Sequence, residues 1–271
     1  MNLKHIQGNT WVIEGNQLIP IYILPDKRCI LMDSGLRKER EELEQLLKDN
    51  GLSPAAIVCT HAHVDHCANN DYFQKKYHIP VALSGPETGM ASSILNLKCY
   101  RLLVSPDVAE QEMSDMVHTP DIVIPYVDWK LELEGERFGI VTTPGHSSGH
   151  ICVITPDNVC YAGDAIMSRE MMDAKLPYSL SIQHAMASRK KLLDLDCDLF
   201  VMAHRGICTK EEIGQLIEDN HALILRRAGV RHIEISDACT MCEPDRFWSH
   251  RVTKGVRGSQ GAVIVCGGDA K

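Results

Sequence analysis

Residues 61–66 read His-Ala-His-Val-Asp-His, three imidazoles and a carboxylate in six consecutive positions. Imidazole nitrogens and carboxylate oxygens are the donors that borderline divalent cations favour, and a site needs several of them close together yet aimed from different directions. In extended chain His61 and His63 project to the same side, whereas Asp65 and His66 fall beyond them as the backbone turns. One cation could take the first pair and a second cation the other. The competing reading is a polar strand-to-helix loop that holds no ligand.

Three further points carry related chemistry. In 143–150, Thr-Pro-Gly-His-Ser-Ser-Gly-His, a proline and two glycines force an irregular loop from which His146 can face a site. His146 is the expected ligand, and His150, which opens the next apolar run, is expected to support it. Asp164 follows Val159-Cys160-Tyr161-Ala162-Gly163, and His204 follows Leu199-Phe200-Val201-Met202-Ala203. Five histidines and two aspartates suit two cations with three or four protein ligands each, one carboxylate bridging and room left for solvent.

Positioning these residues requires elements that end where the ligands begin. Short apolar runs bounded by turn residues read as strands at 10–14, 20–25, 29–32, 55–59, 80–83, 122–124, 129–133, 139–143, 151–154, 159–162 and 199–202. Helical spacing is expected over 37–50, where Leu43, Leu46 and Leu47 share a face and Asn50-Gly51 closes the helix, and again over 68–77, 87–95, 182–193 and 211–227. In the last of these, Ile213, Leu216, Ile217 and Leu225 form the apolar face. The stretch 98–120 has no firm period and is read as an insertion. Strands and helices in this succession imply mixed sheet covered by helices.

A chain of 271 residues, 44% hydrophobic and 24% charged, has the make-up of a globular protein and the length of one large domain. Its net charge of -8 argues against a nucleic-acid partner, whose binding surface is visibly basic. No apolar run is long enough to span a bilayer, and the first residues lack the apolar core of a signal peptide. Eleven cysteines, odd in number and mostly within apolar runs, read as reduced thiols. A cytoplasmic home is therefore expected.

In this order the motifs resemble the metallo-β-lactamase superfamily, from about Asn9 to Gly206. The resemblance implies an α+β fold, an αββα sandwich of two mixed sheets flanked by helices, with the metals at one edge. Motif by motif, it implies that His61, His63 and His146 hold a first metal, that Asp65, His66 and His204 hold a second, and that Asp164 bridges. Asp33, in an Asp-Ser-Gly motif, would support the ligands from behind. Zinc is the expected ion, with iron or manganese as alternatives. The diiron flavoproteins of this fold usually carry Glu where His63 stands, and the true β-lactamases generally lack a carboxylate at the position of Asp164. The hydroxyacylglutathione hydrolases use the full set.

The chemistry so implied is hydrolysis of a small ester, thioester or lactone by a hydroxide shared between two metals, with Asp65 and Asp164 tuning the charge of the pair. A metal-dependent phosphodiesterase or nuclease is the first alternative, and a mononuclear iron dioxygenase of the same fold the second. The expected partner is a small molecule, with no membrane; homo-oligomerisation stays open. Arg205, beside His204, could hold a substrate anion or make a surface ion pair. Tyr178 could reach the cleft or pack as a loop residue, and Met167, Met171 and Met172 could line a pocket or a core.

The catalytic domain is expected over 1–208, followed at 209–271 by a helix and a cysteine-containing tail packed on it. About the last forty residues resemble the C-terminal end of the laccase-domain proteins, without that family's metal-binding core. Cys239, Cys242, His250 and Cys266 could form a further tetrahedral site or be ordinary reduced cysteines.

Overall fold

The computed structural model describes residues 1–99, 105–174 and 178–227. By contacts the chain divides into two compact units, Met1–Ile217 and Glu218–Lys271. The first unit holds two sheets. Of the second, the described part is the end of the helix Lys210–Arg227. The tail residues Cys239, Cys242, His250 and Cys266 lie outside the described residues.

The first sheet runs β1 (Asn2–Gln7), β2 (Thr10–Glu14), β3 (Leu18–Ile23), β4 (Arg28–Met32), β5 (Ser53–Val58), β6 (Val81–Ser84) and β7 (Ile122–Ile124), in that spatial order. Its first four strands pair antiparallel through short turns. From β4 onward the strands are parallel, so each connection must cross over. Helix α1 (Arg40–Asp49) makes the first crossover, burying Leu43 and Leu47 one turn apart, and the chain leaves it through Gly51 at φ 67°. Helices α2 (Val64–Cys67) and α3 (Asn70–Tyr77) make the second.

The third crossover is the longest. Instead of one helix over 87–95, α4 (Gly85–Ala91) and α5 (Ile94–Lys98) are separated at Ser92-Ser93, where Ser93 Oγ accepts from Asn96 N at 3.2 Å and caps the second helix. The stretch read as an insertion contains α6 (Pro106–Met113) and a 3-10 turn, Ser114–Met116. Met113 and Met116 are buried in one cluster with Cys59, Ala62, Cys67 and Leu83. The segment is thus packed directly beneath the strand end that carries the histidine cluster.

The second sheet has the spatial order β13, β12, β11, β10, β9, β8, built from β8 (Trp129–Leu133), β9 (Glu136–Thr142), β10 (Ile151–Ile154), β11 (Val159–Gly163), β12 (Leu199–Met202) and β13 (Gly206–Thr209). Helix α7 (Arg169–Ala174) follows β11, α8 (Ile182–Leu193) leads into β12, and α9 (Lys210–Arg227) follows β13. Only β11 and β12 pair parallel, across the long connection that contains α8.

Side chains from both sheets interdigitate in a common core that includes Val12, Ile30, Val58, Phe138, Ile151, Tyr161 and Val201. A second cluster packs α1 and α3 on the outer face of the first sheet, through Leu43, Leu47 and Phe73. A third packs Leu192 of α8 and Ile213, Leu216 and Ile217 of α9 on the outer face of the second. The layers are therefore helix, sheet, sheet, helix, as expected from the resemblance. Among the described residues, no helix is long and apolar enough to cross a membrane.

Candidate metal centre

Each ligand candidate sits just past the end of a strand, and the ends of both sheets meet at one edge. Strand β5 ends at Val58 and releases the 59–63 segment, after which His63, at φ -89° and ψ 156°, leads into α2. That turn places Asp65 and His66 on the first turn of a short helix, past the extended His61-Ala62-His63 segment. His146 lies in the loop between β9 and β10, Asp164 directly follows β11, and His204 lies between β12 and β13.

The loop carrying His146 owes its path to two glycines. Gly145 has φ 135°, and a Cβ there would come within 2.3 Å of the Ala185 backbone nitrogen. At Gly149 a Cβ would meet Ser84 Oγ at 2.7 Å and Glu87 Cγ at 2.9 Å. Both positions require the bare backbone.

Three groups of donor atoms converge within 4.8 Å: His61, His63 and His146; His61, His66 and Asp164; and Asp65, His66 and His204. His146 Nε2 lies 3.0 Å from His63 Nδ1. Two nitrogens on one tetrahedral zinc with bonds of 2.0–2.1 Å would be about 3.3 Å apart, so this pair has close to ligand spacing. Asp164 Oδ2 stands 3.2 Å from His146 Nε2, 3.3 Å from His204 Nε2 and 3.6 Å from His66 Nε2. Asp65 Oδ2 is 3.3 Å from His204 Nε2 and 3.8 Å from His66 Nε2.

Supporting bonds fix which ring atom of His61, His66 and His146 faces inward. His66 donates its Nδ1 proton to Asp33 Oδ2 at 2.7 Å, and His146 donates its own to the Tyr178 carbonyl at 2.9 Å. Thr60 donates its hydroxyl to Asp33 and lies 3.0 Å from His61 Nδ1, so that nitrogen carries the proton and Nε2 the lone pair. Asp33, fully buried at φ 70°, also accepts from Thr60 N at 2.7 Å and Tyr161 OH at 2.7 Å. His150 accepts from Asp164 N at 3.1 Å, which makes it a support for the carboxylate and not a member of any donor group. Gly163 is required beside it, because a Cβ would lie 2.8 Å from His150 Nε2.

The donor chemistry fits divalent cations. Buried polar atoms normally find hydrogen bonds. Among the described residues, His61 Nε2 and Asp164 Oδ1, both on residues of this cluster, are buried without one. Burial, then the neighbouring imidazoles, pushes His61 and His63 well below the ordinary histidine range. At His204 burial acts in the same direction, but hydrogen bonds to Asp164 and Asp65 win and push it up to about 9. His66 is likewise raised against its burial by Asp164, Asp65 and Asp33. Against the cost of burial, His66 holds Asp65 and Asp164 low, helped by His204 at the first and His146 at the second. The ionised carboxylates and the neutral His61 and His63 are ready metal ligands, whereas His66 and His204 must first give up a proton.

A cavity of about 220 Å3 opens beside the donors, lined by Ala62, His63, Val64, Asp65, Leu97, Met113, Met116, His146, Asp164 and Tyr178. Of the expected substrate residues, Tyr178 is here, its ring 5.7 Å from that of His63 and 5.6 Å from that of His146. Arg205 is outside the lining, paired with Glu170 at 3.0 Å with both side chains exposed. Met167, Met171 and Met172 also lie outside it; Met172 packs against the outer cluster of the second sheet. For Met172 the packing alternative holds, and the methionines that line the cavity, Met113 and Met116, come from the segment without a period.

Two supporting residues also escaped it. Arg189, buried on α8, donates through Nε to the Ala165 carbonyl at 2.9 Å and so braces the turn after Asp164. In the sequence it stands in a Ser-Arg-Lys-Lys run that looks like a solvated helix face. Glu87, fully buried, accepts from Ala62 N at 2.9 Å, Ser147 Oγ at 2.7 Å and Gly149 N at 2.7 Å.

Comparison with known proteins bears on this geometry. A family model described as the metallo-beta-lactamase superfamily matches residues 5–204, and one described as multi-copper polyphenol oxidoreductase laccase matches 189–267. A probable metallo-hydrolase of Bacillus subtilis, YqgX, is 29% identical over 54% of this chain and 64% of its own length. The hydroxyacylglutathione hydrolase GloC of Haemophilus influenzae is 28% identical over 70% of this chain and 84% of its own. The chain spans about half, 47%, of the hydroxyacylglutathione hydrolase of Enterobacter, at 25% identity. Among solved structures, the BLEG-1 B3 metallo-beta-lactamase superimposes with a TM-score of 0.60 at 24% identity, covering 76% of this chain and 94% of that one. That likeness shows the fold.

Proposed function

The chain belongs to the metallo-beta-lactamase superfamily, and on that premise we propose that it is a dinuclear metal-dependent hydrolase of small esters, thioesters or lactones. In this reading His61, His63 and His146 hold one divalent ion, Asp65, His66 and His204 a second, and Asp164 is shared. Two such ions would supply a water of lowered pKa and polarise the substrate carbonyl. Zinc suits this mixed nitrogen and oxygen donor set.

The observation that carries the reading is Asp164, whose Oδ2 lies within 3.6 Å of a ring nitrogen from each triad. The protein's own residues then do three things. Asp33, Thr60 and the Tyr178 carbonyl hold the imidazole protons on the far side of the rings, keeping lone pairs aimed inward. Leu97, Met113 and Met116 offer an apolar wall that excludes water from one side of the cavity. The Tyr178 hydroxyl, its pKa raised by burial, keeps its proton at neutral pH and can hydrogen-bond a substrate. A cavity of about 220 Å3 has the volume of roughly seven waters, which favours a small acyl group. The relatives named as hydroxyacylglutathione hydrolases support a thioester as first choice.

Zinc-loaded protein should therefore turn over a hydroxyacylglutathione thioester or a simple lactone, and lose that activity on chelation. Turnover confined to bis-p-nitrophenyl phosphate would overturn the assignment in favour of a phosphodiesterase.

A further inference from the structure

Ser84-Gly85-Pro86-Glu87 has the spacing of a helix capping box, in which the serine caps the third residue's N–H and the glutamate reaches back to the serine's own N–H. Both side chains are engaged elsewhere. Ser84 makes no side-chain cap bond to α4, and its Oγ donates instead to the Gly149 carbonyl at 2.7 Å. Glu87 accepts from Ala62 N with Oε2, and from Ser147 Oγ and Gly149 N with Oε1. Ala62 stands between His61 and His63, and Ser147 follows His146. A motif that ordinarily serves its own helix has both side chains turned to the loops of the three-histidine group.

We propose that Glu87 is a positioning residue for the three-histidine half of the metal centre, fixing the His61-Ala62-His63 segment of the first sheet against the His146 loop of the second. This rests on the reading of that half as a metal site. A buried carboxylate is costly without donors. Here one donor is the backbone N–H of Ala62, between His61 and His63, and another is the hydroxyl of Ser147, next to His146, so the charge and the ligand geometry depend on one another. Both oxygens must accept: an amide in the same place would turn its NH2 toward either the Ala62 N–H or the Gly149 N–H, and one loop would be repelled. A shorter acid would reach only one of the two loops. The other half of the centre is held differently, His66 by Asp33 and the 65–66 backbone by α2.

The test is zinc titration of the metal-free full chain, with stoichiometry and affinity measured for each site and circular dichroism as the control of fold. Wild type should bind two ions; failure to do so would remove the dinuclear reading itself and is thereby distinguished from failure of this inference. Glu87→Gln should bind one ion as wild type does and the other about 10–100-fold more weakly. Glu87→Asp, which keeps the charge, should show the same one-sided loss and provides a second reading of the same question. Two unchanged sites in a folded variant would overturn the proposal. Equal weakening of both sites, or loss of fold in both variants, would assign Glu87 to general stability and overturn it as well.

Discussion

His61 and His63 are buried imidazoles kept neutral by that burial, whereas a few ångströms away His66 and His204 are surrounded by Asp33, Asp65 and Asp164 and are pushed toward the protonated form. The first group carries no carboxylate among its three donors. The second is more open, with the side chains of Asp65 and His204 26% and 31% exposed. One half offers lone pairs without prior loss of a proton; the other offers charge, but an entering cation must displace protons first. The difference teaches that two adjacent groups of potential metal donors can differ in what competes for them, even when most of the donors are the same residue type.

The strongest way to break the comparison is to remove what the halves share. Asp164→Ala should reduce bound metal from two ions toward one and lower turnover by roughly a thousandfold or more; elemental analysis with two retained ions and full activity would end the assignment of a shared carboxylate. Asp33→Asn acts directly on one half and reaches His61 of the other only through Thr60. It leaves His66 without its charged acceptor, and zinc binding at the second site should weaken by about 10–100-fold while the three-histidine site changes far less. Loss of both ions together, read by competition with a chromogenic chelator, would mean that the halves are one unit.

Acidity should separate them more gently. His204, pushed up to about 9 in the metal-free protein, is protonated below that value. A cation must then expel that proton, and the one the surrounding carboxylates hold on His66, so second-site affinity should fall by about tenfold or more for each unit that pH drops below 9. His61 and His63, held well below the ordinary histidine range, have little proton to lose near neutrality. Their site should be nearly level from pH 8 to 7, and parallel slopes for the two sites in titrations at pH 6, 7 and 8 would contradict the contrast drawn here. The smallest effect is expected at Arg205. Its exposed pair with Glu170 stands outside both halves, so Arg205→Ala should cost less than about 1 kcal/mol and leave KM within about twofold. A tenfold rise in KM would return its guanidinium to the substrate.

What could be read from the chain followed from how local each signal is. His61, His63, Asp65 and His66 announce themselves because four potential donors of two residue types share one short stretch, and His146, Asp164 and His204 because each follows an apolar strand that ends abruptly. Asp33 carried the weaker mark of Asp-Ser-Gly. Glu87 was illegible for a physical reason: its spacing from Ser84 matches a cap, and only the fold reveals that both side chains are used elsewhere. Met113 and Met116 lie on a short helix and a 3-10 turn, too brief to display a period. The edge strands β1 and β13 were overlooked too. In β1 the sequence Asn-Leu-Lys-His-Ile-Gln is mostly exposed and lacks an apolar run, and β13 follows His204 by a single residue.

The donors divide between the two sheets, with His61, His63, Asp65 and His66 on the first and His146, Asp164 and His204 on the second. At this edge the sheets are otherwise tied by a few hydrogen bonds, such as Ile151 N to Thr60 O at 3.1 Å and Leu18 N to Ala203 O at 2.7 Å. Ions held there would act as rivets across the sandwich, binding the folded chain and having no comparable site in the unfolded one. At a free concentration a hundred times its dissociation constant, one such ion adds about 2.7 kcal/mol to stability. A chelator would then be a mild denaturant of this protein as well as an inhibitor, and its melting temperature would report on metal supply.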